Sequence, residues 1–314
     1  MFCKRSEHNV RKEFEMRKIL VIGSLNMDFV INVDHMPLKG ETILSGDFDL
    51  IPGGKGANQA YATGKLGGSV AMLGAVGDDD YGRALVMNLE SVGVDMSHIK
   101  TCGHTGNAFI TVDKNGDNSI IVVQGANAAV DKAYIDENIQ LIKDSDIIVL
   151  QLEIPLETVC HAAKTAKGLG KTVILDPAPA KSGLPEELIR FVDIVKPNEV
   201  ELQMLLDDPE ADKHLRQSAE VLVSMGAGTV AVTLGGEGAY LYRNGEEKRF
   251  ACEKGLKAVD TTAAGDSFTG ALALGLAEGR SIEESIEFAI KVAGIVVTRK
   301  GAQTSIPSRD EIEE

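Results

Sequence analysis

Ile147-Ile148-Val149-Leu150, a helix-forming run over residues 155–169 and then Thr172-Val173-Ile174-Leu175 read as strand, helix and strand. Two short apolar strands joined by a helix point to parallel neighbours in one sheet, because a parallel pair needs a long crossover. The pattern continues with a strand at 194–196, a helix at 213–225 and a strand at 230–234. Upstream, Ile19–Ile22 is apolar at every position, as expected of a strand buried on both faces. Downstream, helices near 266–278 and 282–298 carry apolar residues at helical spacing. Such alternation builds an α/β fold, a mostly parallel central sheet flanked by helices. Two further strand pairs, 29–33 with 41–51 and 108–112 with 119–123, flank turn-rich segments and are expected to form a small sheet outside the main body. No repeat or linker divides the chain, so one main domain with a protruding sheet is expected.

Composition narrows the functional classes. The 314 residues include 44% hydrophobic and 25% charged residues, with a net charge of −15. An acidic chain of this kind is not expected to take nucleic acid or an anionic membrane as its main partner. An anionic substrate would need local positive charge or a metal. Cys3, Cys102, Cys160 and Cys252 lie far apart with no zinc-type spacing, and are expected to be reduced thiols in a cytoplasmic protein. No apolar run reaches membrane-spanning length. Residues 1–15 are polar and aperiodic, and Met16 stands just before the first strand. They are expected to be a disordered extension or a product of start-site choice.

Ligands of a parallel sheet bind beyond the carboxyl ends of its strands, so polar residues that follow apolar runs carry the functional information. Val259-Asp260-Thr261-Thr262-Ala263-Ala264-Gly265-Asp266 opens onto an apolar helix. The small residues Ala263, Ala264 and Gly265 leave their N–H groups approachable at a helix N-terminus, a seat for a phosphoryl group. Asp266 beside that seat suits a base taking a proton from an attacking hydroxyl. An acid in the first turn of an ordinary helix is the alternative. Asn26 and Asp28 follow the first strand and suit neighbouring hydroxyls, unless both bond their own turn. Gly53-Gly54-Lys55-Gly56-Ala57-Asn58 is a glycine-rich turn that lacks the Walker spacing. Its glycines are expected to let a ligand approach the backbone, with Lys55 and Asn58 donating to oxygens. Glu153 follows the strand at 147–150. Asn198 and Glu201, three apart, suit a hydrated Mg²⁺ or simply a polar helix start. Thr233-Leu234-Gly235-Gly236-Glu237-Gly238 admits a flat or phosphorylated ligand, or is a plain hairpin turn.

Taken in this order, these segments resemble the PfkB family of ribokinase-like carbohydrate kinases from about residue 18 to 307. Its signatures correspond to Gly-Gly-Lys-Gly-Ala-Asn-Gln-Ala at 53–60 and the 260–270 segment, and Thr-Arg-Lys-Gly-Ala-Gln at 298–303 narrows the match further. The resemblance implies one kinase domain over 16–314, with a β lid formed near 29–51 and 106–124. It implies ATP-dependent phosphorylation of D-ribose at the 5-hydroxyl. Asp266 would be the base, and the N–H groups of Ala263, Ala264, Gly265 and Asp266 would hold the transferring charge. Asn26, Met27, Asp28, Gly54, Lys55, Gly56, Ala57, Asn58 and Glu153 would bind the sugar. Asn198, Thr233, Leu234, Gly235, Gly236, Glu237, Gly238, Gly265, Asp266 and Ile290 would line the nucleotide site. Asn198 and Glu201 would approach Mg²⁺ through water.

The family likeness also implies an activating K⁺ held by Asp260 and Ser305 with the carbonyls of Thr262, Val296, Arg299 and Gly301. Asp260 and Ser305 as loop-capping residues are the alternative. A homodimer joined through the β lid is implied as well. Two departures concern the nucleotide site: Glu237 adds a negative charge, and Ile290 stands where relatives often place a polar or imidazole side chain. Rival readings are a family kinase for 2-deoxyribose, fructose or a nucleoside, and a catalytically silent sugar-binding protein on the same fold.

Overall fold

The computed structural model describes residues 16–313, so the extension expected over 1–15 lies outside the described residues. Thirteen strands form two sheets among them. In chain order they are β1 (Ile19–Ile22), β2 (Asn26–Asn32), β3 (Phe48–Gly53), β4 (Val70–Val76), β5 (Ile99–Thr101), β6 (Gly106–Val112), β7 (Asn118–Val123), β8 (Ile147–Leu150), β9 (Thr172–Leu175), β10 (Ile194–Val195), β11 (Thr229–Thr233), β12 (Ala239–Arg243) and β13 (Glu246–Phe250). The main sheet runs β13-β12-β11-β10-β9-β8-β1-β4-β5, parallel from β11 to β5 and antiparallel at the β12 and β13 edge.

The period-two pleat of the central strands divides the core between two faces. Leu20, Ile22, Ile148, Leu150, Val173 and Leu175 pack on one side with Val159, Ala162 and Ala166 of the helix Leu156–Gly168. Ile19, Val21, Ile147, Val149 and Ile174 pack on the other, under the helices Lys55–Lys65, Ala264–Ala277 and Ile282–Val296. The α/β architecture expected from the alternation is therefore the one observed.

The second sheet has the order β3-β2-β6-β7. Its outlines differ from expectation by one or two residues at several strand ends, and by more at two strand starts. β2 begins at Asn26 rather than residue 29, because the chain passes from one sheet to the other within three residues, and Asn26 pairs with both Gly53 and Gly106. β3 begins at Phe48 rather than residue 41, since its pairing with β2 ends at Ile31↔Phe48. Residues 41–47 have no partner strand, and Leu44 is almost fully exposed. Among the described residues no helix is long and apolar enough to cross a membrane.

Candidate active site

The order of the main sheet reverses at β1, with β4 on one side and β8 on the other, which makes the space beyond β1 and β8 a topological switch point. Ser24 follows β1 and Glu153 follows β8, and the Ser24 hydroxyl donates to Glu153 Oε2 at 2.5 Å. The Lys55 N–H donates to the same oxygen at 2.9 Å, so the glycine-rich turn is tied to the switch point. A Cβ at Gly56 would lie 2.7 Å from Ser24 N, and one at Gly54, whose φ is +88°, 2.8 Å from Asn26 N. These glycines make room for the neighbouring turn of the protein itself.

β2 carries Asn26 and Asp28 on one face, while Met27 between them is buried in the core, so the structure does not bring its side chain to the site. Asn26 Oδ1 accepts from Asn127 Nδ2 at 2.8 Å. Asn127 also clasps both main-chain groups of Leu25, and sequence reasoning missed it because a lone Asn in a short turn of Gly and Ala carries no periodic signal. Asp28 packs so closely on Gly53 that a Cβ there would come within 2.2 Å of Oδ2, and its Oδ1 is buried without a hydrogen-bond partner. Burial raises the Asp28 carboxyl to about 7, the charges of Glu153 and Asp266 adding to the rise and Lys55 opposing it.

Across the crevice, Ala263 takes a left-handed conformation, φ +60°, as the cap of the helix Ala264–Ala277. For a residue with a Cβ that conformation stores strain of roughly 1 kcal/mol or more, and such strain gathers at functional sites. The first helical bond runs from Ser267 N–H to the Ala263 carbonyl at 2.8 Å, so the N–H groups of Gly265 and Asp266 have no helical carbonyl behind them. Ala264 N–H instead donates to the Thr261 carbonyl at 3.2 Å, which narrows the expected anion seat. Gly265 is exposed, and a Cβ there would approach only Lys196 Nζ, at 3.6 Å.

The Asp266 carboxylate accepts from Asn58 Nδ2 at 2.9 Å and from Gln59 Nε2 at 3.1 Å. Beneath it lies Asp176, paired with Lys196 at 3.0 Å. Burial works against the partly buried Lys55 ammonium, but Asp266, Asp176, Glu153 and Glu201 together raise its pKa above the ordinary lysine value. The crevice thus sets five carboxylates, with Asp28, against the ammonium groups of Lys55 and Lys196.

On the far side, Asn198 caps the helix Glu199–Leu206. Its side chain accepts from Glu201 N–H at 2.7 Å, and Glu201 Oε2 accepts from Asn198 N–H at 2.8 Å, a capping box. Asn198 also bridges to Thr233, whose N–H donates to the Pro197 carbonyl. The 233–238 segment is the connection of the β11–β12 hairpin, with a 3₁₀ turn at Gly235–Glu237. Gly235 and Gly236 have open space above them, Glu237 is exposed, and a Cβ at Gly238 would collide with the Phe250 carbonyl. Leu234 and Ile290 are buried in the core on opposite faces of the sheet.

Asp260 joins the 259–262 turn to the 297–301 segment. Its Oδ1 accepts from Thr262 N–H and Oγ at 2.9 and 2.6 Å, and its Oδ2 from Gly301 N–H at 2.9 Å. Burial opposes the charge, yet these hydrogen bonds hold the carboxyl below its usual range. Ser305 is buried and its hydroxyl donates to the Ala302 carbonyl at 2.6 Å, while the Val296 carbonyl accepts from Arg299 N–H at 3.1 Å. Among the described residues no cluster of three His, Cys, Asp or Glu side chains could hold a metal.

A carboxylate at a helix N-terminus, facing a polar strand end across an acidic crevice, is an arrangement that suits phosphoryl transfer to a hydroxyl. The chain belongs to the pfkB family of carbohydrate kinases, which it matches over residues 16–309. It is 41% identical over 302 residues to a ribokinase of Haemophilus influenzae, covering 94% of this chain and 97% of the relative. A deoxyribokinase of Salmonella typhimurium is 38% identical over 299 residues, with 94% and 97% covered. The solved structure of an Arabidopsis thaliana ribokinase complexed with ribose and ATP superposes with a TM-score of 0.89 at 34% identity, covering 95% of this chain and 98% of the other.

Proposed function

We propose that this protein transfers the γ-phosphoryl group of ATP to the 5-hydroxyl of D-ribose in the cytoplasm, giving D-ribose 5-phosphate and ADP. The observation that carries the reading is Asp266: a buried carboxylate in the first turn of a helix, held by two amide donors beside unpaired N–H groups. Asp266 takes the proton of the 5-hydroxyl as that oxygen attacks phosphorus, and the N–H groups of Gly265 and Asp266 stabilise the charge on the transferring group. Asn26, Asp28, Lys55, Asn58 and Glu153 bind the sugar. Asp28 supports this role because its buried, unpartnered Oδ1 is an acceptor in want of a hydroxyl.

The nucleotide lies between the Asn198 turn and the open glycines at 235 and 236, where Gly238 and Leu234 hold the hairpin and Ile290 backs the base. Five carboxylates against two ammonium groups repel a polyphosphate, so a divalent cation would accompany it, approached by Asn198 and Glu201 through its water shell rather than by a cluster of carboxylates. Mg²⁺ supplies charge neutralisation of the β- and γ-phosphates when bound. K⁺ suits the second oxygen set, a carboxylate, a hydroxyl and main-chain carbonyls around Asp260 and Ser305, and would fix the 262–266 turn. The exposed apolar residues of β3, β6 and β7 support a homodimer through the second sheet acting as a lid.

The test is ADP release with ribose, 2-deoxyribose and fructose, for wild type and Asp266→Asn. Ribose is expected to give the highest kcat/KM, and the variant to lose about 10²- to 10⁴-fold in kcat. A preference for 2-deoxyribose would support the second reading, which the likeness to the Salmonella deoxyribokinase keeps in view. Turnover of Asp266→Asn at the wild-type rate would remove the base.

A further inference from the structure

Two chains of side-chain amides converge on Asp266, one on each carboxylate oxygen. Asn58 Nδ2 donates to Oδ2 at 2.9 Å, Asn58 Oδ1 accepts from Gln303 Nε2 at 3.0 Å, and Gln303 Oε1 accepts from Asn88 Nδ2. Gln59 Nε2 donates to Oδ1 at 3.1 Å, and Gln59 Oε1 accepts from Gln151 Nε2 at 2.6 Å. The same Gln59 nitrogen donates to Asp176 Oδ2 at 2.9 Å. Asn58, Gln59, Gln151 and Gln303 are buried, and only Asn88 is part-exposed.

The carboxylate dictates the direction of both chains. An ionised carboxylate only accepts, so Asn58 and Gln59 must turn their amino groups toward it. Their carbonyls then face outward, and the next amide in each chain must donate inward. Five elements supply the members: the end of β8, the helices Lys55–Lys65, Asp80–Glu90 and Ala264–Ala277, and the 3₁₀ turn Gln303–Ser305. Buried amides are costly unless each is bonded, and of these four only Gln151, at the outer end of its chain, keeps an oxygen without a partner, so the cost is spent on orientation.

We propose that Gln59 and Gln303 are positioning residues for the base: the two relays fix the plane of the Asp266 carboxylate, leaving one lone pair on each oxygen for the substrate. The proposal rests on the reading of Asp266 as base. The charged groups around that carboxylate are Asp28 from β2, Lys55 from the helix Lys55–Lys65, and Asp176 with its partner Lys196 beyond β9 and β10.

Gln59→Glu and Gln303→Glu replace an inward donor by an oxygen, so both set acceptor against acceptor. In each, kcat is expected to fall about 10- to 100-fold while both KM values stay within about threefold. In Gln59→Glu the acidic limb of kcat against pH should also rise by about one pH unit, because a new carboxylate faces the base. Asn88→Asp tests the relay from its part-exposed end, away from tight packing. An aspartate there only accepts, so Gln303 must turn its amino group outward and oppose Asn58 with its carbonyl. Asn88→Asp should therefore lower kcat at least about threefold more than Asn88→Ala, which removes the end donor without reversing the chain. Equal effects of the two Asn88 variants, or Glu variants with near wild-type kcat and an unmoved acidic limb, would overturn the proposal. Asp266→Asn measured alongside separates the cases. Full activity in that variant removes the base and the relays together, whereas an inactive Asp266→Asn beside normal amide variants removes the relays alone.

Discussion

Lys196 Nζ lies 3.0 Å from Asp176 Oδ2 at the carboxyl ends of β9 and β10, and both side chains are almost fully buried. Lys196 also reaches the Gly265 carbonyl at 3.5 Å, so the pair supports the turn that precedes Asp266. Burial pushes the Asp176 carboxyl upward, reinforced by Glu201 and Asp266 and opposed chiefly by Lys196. Lys196→Met leaves that carboxyl unpaired and is expected to cost about 3–5 kcal/mol of stability in urea unfolding. Adding Asp176→Asn should recover most of the loss, since no isolated charge is then buried. Additive losses in the double variant would show that the two side chains do not act as a pair.

Asp28 gives a stability effect of opposite sign. Its carboxyl stands at about 7 in the folded protein against an ordinary 3.8, chiefly through burial. Between those two values the folded state binds a proton that the unfolded chain lacks. The contribution of Asp28 is therefore fully present below the unfolded value and is lost as pH rises through about 7. Asp28→Asn should make the sugar-free protein more stable at pH 8, by up to about 4 kcal/mol, and bind ribose much more weakly. Urea unfolding of both proteins at about pH 5 and pH 8 checks the sign. Parallel losses in the two proteins would refute it.

The alternation of the central strands was legible because β1, β8 and β9 are short apolar runs, and their observed bounds are those read from the residues. Asp266 was legible as an acid opening an apolar helix, Asn58 as an amide in a glycine-rich turn, and Glu153 and Asn26 as polar residues after apolar runs. Asp176 follows the apolar run of β9 in the same way, but its meaning lies in Lys196, twenty positions on, and spacing does not reveal a pair across neighbouring strands. The contacts of Gln303, Asn88 and Asn127 were invisible for the same reason, although Gln303 closes the 298–303 motif: each acts on a residue more than a hundred positions away. The outlines of β2 and β3 were misjudged because pairing, not local propensity, decides where those strands stop. At Asn198 and Glu201 the plain reading of a helix start describes the hydrogen bonds, a capping box.

Asp260 binds three donors on two separate segments, so its loss loosens the loop even without a cation. Potassium is expected to raise wild-type activity, and Asp260→Ala to lose most of that response. Asp260→Asn keeps the size of the side chain but not its charge, and should retain stability better than Ala while still responding weakly. Activity of the wild type that is equal in potassium-free buffer would exclude the cation site.

β7 is an edge strand, paired on one side only with β6, and every residue from Asn118 to Val123 is exposed. Ile121 and Val123 on it, with Phe109 on β6 and Phe48 and Leu50 on β3, share one face of the sheet and form an apolar surface that a lone protomer would leave in water. A long apolar edge invites pairing unless something covers it, and the chain places no Pro or Lys along this strand to prevent that. Ile121 is 66% exposed, so its replacement by Glu leaves the fold of a single protomer nearly untouched. Wild type is expected to sediment as a dimer at micromolar concentration, and Ile121→Glu as a monomer of similar thermal stability. Because the second sheet also carries Asn26 and Asp28 on β2, dissociation should raise the KM for ribose more than that for ATP. A wild-type protein that sediments only as a monomer would contradict the shared interface.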